Sequence, residues 1–113
     1  MKYIFLYILF SFVYLDDFKN VKVLDIKSKS AMKKYMKEIS KDLGVKCSHC
    51  HDLDDKSIDN PQKEITREMI LLTKYLNDTL NSVASDHKDY KTYISCWTCH
   101  HGNLKPEHIR PSK

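Results

Sequence analysis

Hydrophobic residues in this chain form one unbroken run near the start and then thin out into a sparse, periodic pattern. The run YIFLYILFSFVYL, Tyr3 to Leu15, carries no charge over thirteen residues and stops at Asp16-Asp17. A helix needs ~20 apolar residues to cross a bilayer, so this length fits the apolar region of an export signal better than a membrane span. No small residues stand at the spacing of a cleavage site before Asp16. Residues 1–18 are therefore expected to act as a signal peptide or a short N-terminal membrane anchor. A buried first helix is the competing reading, but the rest of the chain offers little core to receive seven aromatic side chains.

Beyond residue 18, two segments repeat one spacing. Met32, Met36, Ile39 and Leu43 recur at i, i+4, i+7 and i+11, which at ~100° per residue confines them to a ~60° arc. This predicts a helix over 30–43, capped by Ser30 and ended by Gly44. Ile65, Met69, Leu72 and Leu76 repeat the spacing in a helix predicted to start at Asn60-Pro61 and run to about Leu80. In both stripes the second member is a methionine. Residues 81–93 read as a polar stretch, loop-like or partly helical, and the tail from Gly102 carries Pro106 and Pro111. Val21 to Leu24 is too short to count as a strand. The expected fold class is all-α, with residues 19–113 forming one small domain of two main helices and loops.

Composition adds a constraint. From Lys19 onward only 33 of 95 residues are apolar or aromatic, about a third, against roughly 45–50% in an average domain. So lean a core calls for a metal, disulfides or a large apolar cofactor. Two glycines and three prolines exclude collagen, long flexible linkers and a turn-rich β-sandwich. The net charge of +4 is polarised: nine lysines face three acids over 19–46, and six acids face three bases over 52–68. A redox protein partner suits such a surface, and no nucleic acid is expected.

All four cysteines lie in two copies of one pattern, Cys47-Ser48-His49-Cys50-His51 and Cys96-Trp97-Thr98-Cys99-His100. Each is C-x-x-C-H, the spacing of covalent haem attachment. Two intervening residues let both thiols reach one porphyrin edge from a single turn, and the adjacent histidine is carried under the iron. The expected cofactors are two haem c groups, held through Cys47 and Cys50 and through Cys96 and Cys99, with His51 and His100 as proximal iron ligands. A four-cysteine zinc site usually has a gap of ~15–20 residues between its pairs. Here 45 residues separate Cys50 from Cys96. Structural disulfides or a redox dithiol would leave both histidines without a role, and no βαβ context supports the latter.

The opposite iron faces have several candidate ligands. Met36 lies eleven residues before Cys47, with Gly44 reversing the chain between them, and Met32 is one turn earlier. Met69 is the methionine of the second helix; His87, His101 and His108 compete with it. His49 and His101 adjoin the proximal positions, are constrained by their own motifs and are expected to face the surface or the propionates. A thioether suits low-spin iron in an electron carrier and raises its potential.

These residues together resemble the cytochrome subunit of the purple-bacterial photosynthetic reaction centre and its small stand-alone multihaem relatives. The resemblance rests on Met36, on Leu43-Gly44-Val45-Lys46 running into the first C-x-x-C-H, on Thr66-Arg67-Glu68-Met69 with Leu76-Asn77, and on Cys96 to His100 with Gly102 and Pro106. It spans most of 31–106. It implies that Met36 and Met69 are the distal ligands. The chain is similar to two of the four haem units of that subunit, carries His101 where arginine commonly follows the second motif, and has His87 loosely in the place of a histidine that serves another haem.

The reading reached is a small dihaem c-type cytochrome. It would carry single electrons in the periplasm or on the outer face of the inner membrane, in contact with redox proteins such as a membrane electron transfer complex. No catalysis is expected from two six-coordinate irons. A haem enzyme or sensor, such as a small peroxidase or gas-binding protein, follows instead if one iron is five-coordinate; a colourless zinc or dithiol module is the remaining alternative.

Overall fold

The computed structural model describes residues 18–84 and 92–108. The apolar N-terminal run and His87 lie outside the described residues, and with them the expectations attached to both. The described residues form three α-helices, α1 (Lys29–Leu43), α2 (Pro61–Ala84) and the short α3 (Cys96–His100), with a 3-10 turn at Cys47–His49. No strand occurs among the described residues, and none of their helices is long and apolar enough to cross a membrane.

α1 begins one residue earlier than its pattern predicts. Ser28, not Ser30, is the cap: its hydroxyl accepts the Ala31 N–H at 3.2 Å, because a capping oxygen reaches the third helical amide from an extended residue. Gly44 ends the helix as predicted, with φ 64°. Its N–H donates to the Lys41 carbonyl at 3.3 Å, and Val45 donates to Ser40 at 3.0 Å, the paired bonds of a Schellman turn. On the inner side of α1, Ile39 and Leu43 are buried and Met32 and Met36 half-buried, matching the apolar stripe.

α2 starts as the Asn60-Pro61 pair predicts, with the Asn60 Oδ1 accepting the Lys63 N–H at 2.9 Å. It continues to Ala84, four residues past the predicted end and into the polar stretch expected to be loop-like or partly helical. Its buried face is not the apolar stripe. Arg67 and Ile70 are inside, whereas Ile65, Met69 and Leu72 are 59%, 43% and 48% exposed. The reason lies in the chain that runs along the helix. Arg67 donates to the Asn20 carbonyl at 3.2 Å and pairs with Asp59 at 2.8 Å, and Lys74 donates to the Val23 carbonyl. Polypeptide thus covers the Arg67 side, and the apolar stripe faces away from it.

The buried centre is correspondingly small. Ile39, Leu43 and Ile70 form it, with Val23, Leu24, Tyr35, Met36, Val45 and Cys96 packed around them. No described side chain is wholly buried.

Candidate haem-binding site

Each cysteine motif is wound into one tight turn. In the first, Cys50 and His51 both donate to the Cys47 carbonyl, at 3.3 and 3.0 Å. In the second, Cys96 and Cys99 stand one turn apart on α3, whose start is braced by the Ser95 N–H donating to the Thr98 hydroxyl at 3.0 Å. All four thiols are unpaired, and each motif has one exposed cysteine, Cys47 or Cys99, and one half-buried, Cys50 or Cys96. Burial pushes the Cys96 thiol pKa up, and the Asp42 carboxylate nearby acts in the same direction.

The two histidines that follow are oriented alike. The His51 Nδ1 lies 3.2 Å from the Lys56 carbonyl and the His100 Nδ1 lies 2.9 Å from the Asn103 carbonyl. A carbonyl only accepts, so Nδ1 carries the proton in both rings and Nε2 keeps its lone pair for a metal. The same arrangement fixes ring orientation in metal-ligating histidines generally.

α2 holds both motifs, and α1 also holds the second. The first rests on the start of α2: Asn60 donates to the Cys50 carbonyl at 2.8 Å, and the Thr66 hydroxyl lies 3.7 Å from the Cys50 sulfur. The second is held twice. Asn77 of α2 grips the backbone just before it, donating to the Ile94 carbonyl at 2.7 Å and accepting the Ile94 N–H at 2.8 Å. The end of α1 holds its other side, where the Asp42 carboxylate accepts the Trp97 N–H at 3.2 Å and the Asp42 carbonyl accepts the Gly102 N–H at 2.8 Å. Leu43-Gly44-Val45-Lys46 then leads directly into Cys47, so both motifs emerge around one end of α1. Of these anchors only Asn60 and Gly44 had a local signature. Asn77 and Asp42 act on residues 17 and 55 positions away, for which the sequence carries no periodic or capping signal.

The site fits a large flat apolar group. Ile65, Met69 and Leu72 form an apolar strip that described polypeptide leaves uncovered, with a thioether in its middle. Met36 is half-buried on α1 beside Ile39, and Met32 is half-buried one turn away. Tyr35 is also half-buried there, and burial pushes its hydroxyl pKa up to about 12, so it adds no charge beside Cys96 at ordinary pH. His101 is exposed and meets the Trp97 ring edge-on, centroids 5.8 Å apart; His108 is exposed, and His49 is half-buried on the 3-10 turn. Among the described residues no group of three or more His, Cys, Asp or Glu is placed to hold a metal ion.

Compared with known families, residues 14–112 match the model of the photosynthetic reaction centre cytochrome C subunit. No curated protein matches the chain.

Proposed function

The chain belongs to the photosynthetic reaction centre cytochrome C subunit family, and from that premise we propose that it is a dihaem c-type cytochrome carrying single electrons. The observation that supports this best is the repeated one: two C-x-x-C-H turns, each with its histidine Nδ1 engaged by a backbone carbonyl and Nε2 left to ligate iron. Cys47 and Cys50 would hold one haem and Cys96 and Cys99 the other. His51 and His100 would ligate the irons from one side, Met36 and Met69 from the opposite side. Bound haem supplies a one-electron couple at each motif. The protein's part is to hold the two couples close together, to keep a ligand on both faces of each iron, and to leave no iron position open for substrate. The site of action is the periplasm or the outer face of the inner membrane, with residues 1–18 as signal or anchor.

The partner follows from α1. Lys29, Lys33, Lys34, Lys37 and Lys41 fall within about 140° of the helix surface at ~100° per residue, and all five are exposed. Lys33, Lys34, Lys37 and Lys41 have no ion-pair partner among the described residues. We read this face as a dock for an acidic redox protein, which charge would steer into contact.

The decisive experiment is export of the protein in a host with c-type maturation machinery, followed by intact mass and spectra. Two covalent haems per chain, low-spin bands on reduction and no spectral change with carbon monoxide are expected. A colourless product of unmodified mass would sink the reading and return the cysteines to zinc or disulfide chemistry. Carbon monoxide binding at one haem would favour the enzyme or sensor class instead. Replacing Met36 or Met69 with leucine should lower one potential or turn one haem high-spin; if neither moves, the ligand at that face is another residue.

A further inference from the structure

The join between α1 and the second motif has a chemistry of its own. The chain's two glycines meet there: a Cβ added at Gly44 would lie 2.0 Å from the Gly102 carbonyl oxygen. Two backbones therefore cross at closer range than any side chain would permit. One residue, Asp42, uses both its carbonyl and its carboxylate at the same crossing, the former on the Gly102 N–H and the latter on the Trp97 N–H. Trp97 is one of the two residues between Cys96 and Cys99, so a carboxylate is placed directly against the attachment turn of the second motif. No lysine among the described residues forms a salt bridge with this carboxylate.

We propose that Asp42 is a positioning residue that fixes the second haem-attachment turn against α1 and, through its charge, lowers the reduction potential of the haem held there relative to its partner. The inference rests on the dihaem reading above. A fixed negative charge beside a redox centre favours its more positive, oxidised form, and it does so most where water is partly excluded. Because the same group holds the Trp97 amide, position and charge are joined in one side chain. The two haems would then differ in potential although their motifs are alike, and an electron would rest preferentially on the one attached at Cys47 and Cys50.

Two variants of the full, haem-loaded protein separate the two roles. Asp42→Asn keeps an acceptor for the Trp97 N–H and removes the charge; Asp42→Ala removes both. Redox titration should show one haem, and not the other, moving to higher potential in both variants. Amide exchange followed by NMR in the reduced protein should show Trp97 protected in Asp42→Asn. In Asp42→Ala the Trp97 amide should exchange roughly tenfold faster, the loss of one hydrogen bond worth about 1.4 kcal/mol. Unchanged potentials in both variants, or equal shifts of both haems, would overturn the proposal, as would unaltered Trp97 exchange in Asp42→Ala. A wild-type protein with no haem at Cys96 and Cys99 would mark failure of the dihaem reading itself, which mass spectrometry registers before any variant is made.

Discussion

Gly44 carries two separate demands, and they can be told apart by comparison with Gly102. A non-glycine residue at φ 64° costs about 1–2 kcal/mol from the left-handed backbone alone. At Gly44 an added Cβ also strikes backbone at 2.0 Å, and backbone has nowhere to go. At Gly102, with φ 82°, the same Cβ meets the rim of the Trp97 ring at 3.4 Å, a side chain that can shift. Thermal unfolding followed at the haem bands should therefore show Gly44→Ala losing clearly more stability than Gly102→Ala. Equal losses would mean that the crossing relaxes and only the dihedral matters. A different residue contributes to the response to acid. Arg67, donating to its carboxylate at 2.8 Å, holds Asp59 well below the usual carboxylate range, with Lys22 and Asn20 adding to the effect. A depressed folded value contributes stability above the unfolded value near 3.8, and that contribution drains away as pH falls toward the folded one. The melting temperature of the wild type should consequently drop more between pH 5 and about pH 2 than that of Asp59→Asn, which has no carboxyl to protonate; parallel curves would assign the acid sensitivity elsewhere.

Among the helices, α2 shows what a hydrophobic pattern reveals and what it leaves out. Its start was legible because Asn60-Pro61 is a local signal, and its apolar stripe was legible because helical spacing is a property of the chain itself. What covers the stripe was not legible. Periodicity marks a face as apolar, and the residues that pack on the opposite side, Asn20 and Val23, act through backbone carbonyls that carry no side-chain code. The same holds for Asn77. Its two bonds to Ile94 join positions 17 apart, and nothing near either residue announces the pairing. Yet those bonds fix where α3 begins, so the residue matters more than its polarity suggests. Asn77→Ala should leave the Ile94 N–H and carbonyl without their side-chain partner, at a cost of about 1–3 kcal/mol for the half-buried pair. Chemical denaturation should register the loss, and amide exchange should speed up at Ile94 before it does in α1. Loss spread evenly over the molecule would indicate that α2 and the second motif unfold as one unit with or without the clamp.

At the scale of the whole molecule, the two halves of the charge distribution stand on different structural footings. Acids of the 52–68 segment are engaged within the fold: Asp52 accepts the Asp54 and Asp55 amides, both at 2.9 Å, while Asp59 and Glu64 pair with Arg67. The lysines of α1 are turned outward, on the helix that leads into the first motif. Ion pairs with Lys22, Lys63 and Arg67 thus take up Asp59 and Glu64, while the positive face of α1 is left available to an external partner. Steering by such a face is a long-range effect, so it should appear in the association rate and fade as salt shortens the Debye length from ~10 Å at 0.1 M toward ~3 Å at 1 M. Charge reversal of Lys33, Lys34 and Lys37 should slow electron exchange with an acidic redox protein at low salt by tenfold or more, within the range such steering spans. At high salt, the wild type and the variant should converge. Asp52→Asn with Asp54→Asn should leave the rate nearly unchanged, since those carboxylates do not lie on α1. If the lysine variant exchanged electrons as fast as the wild type at low salt, the face would be a solvated surface and the partner would dock elsewhere. Convergence at high salt matters as much as the slowing at low salt, because a variant that had damaged a haem site would stay slow at every ionic strength.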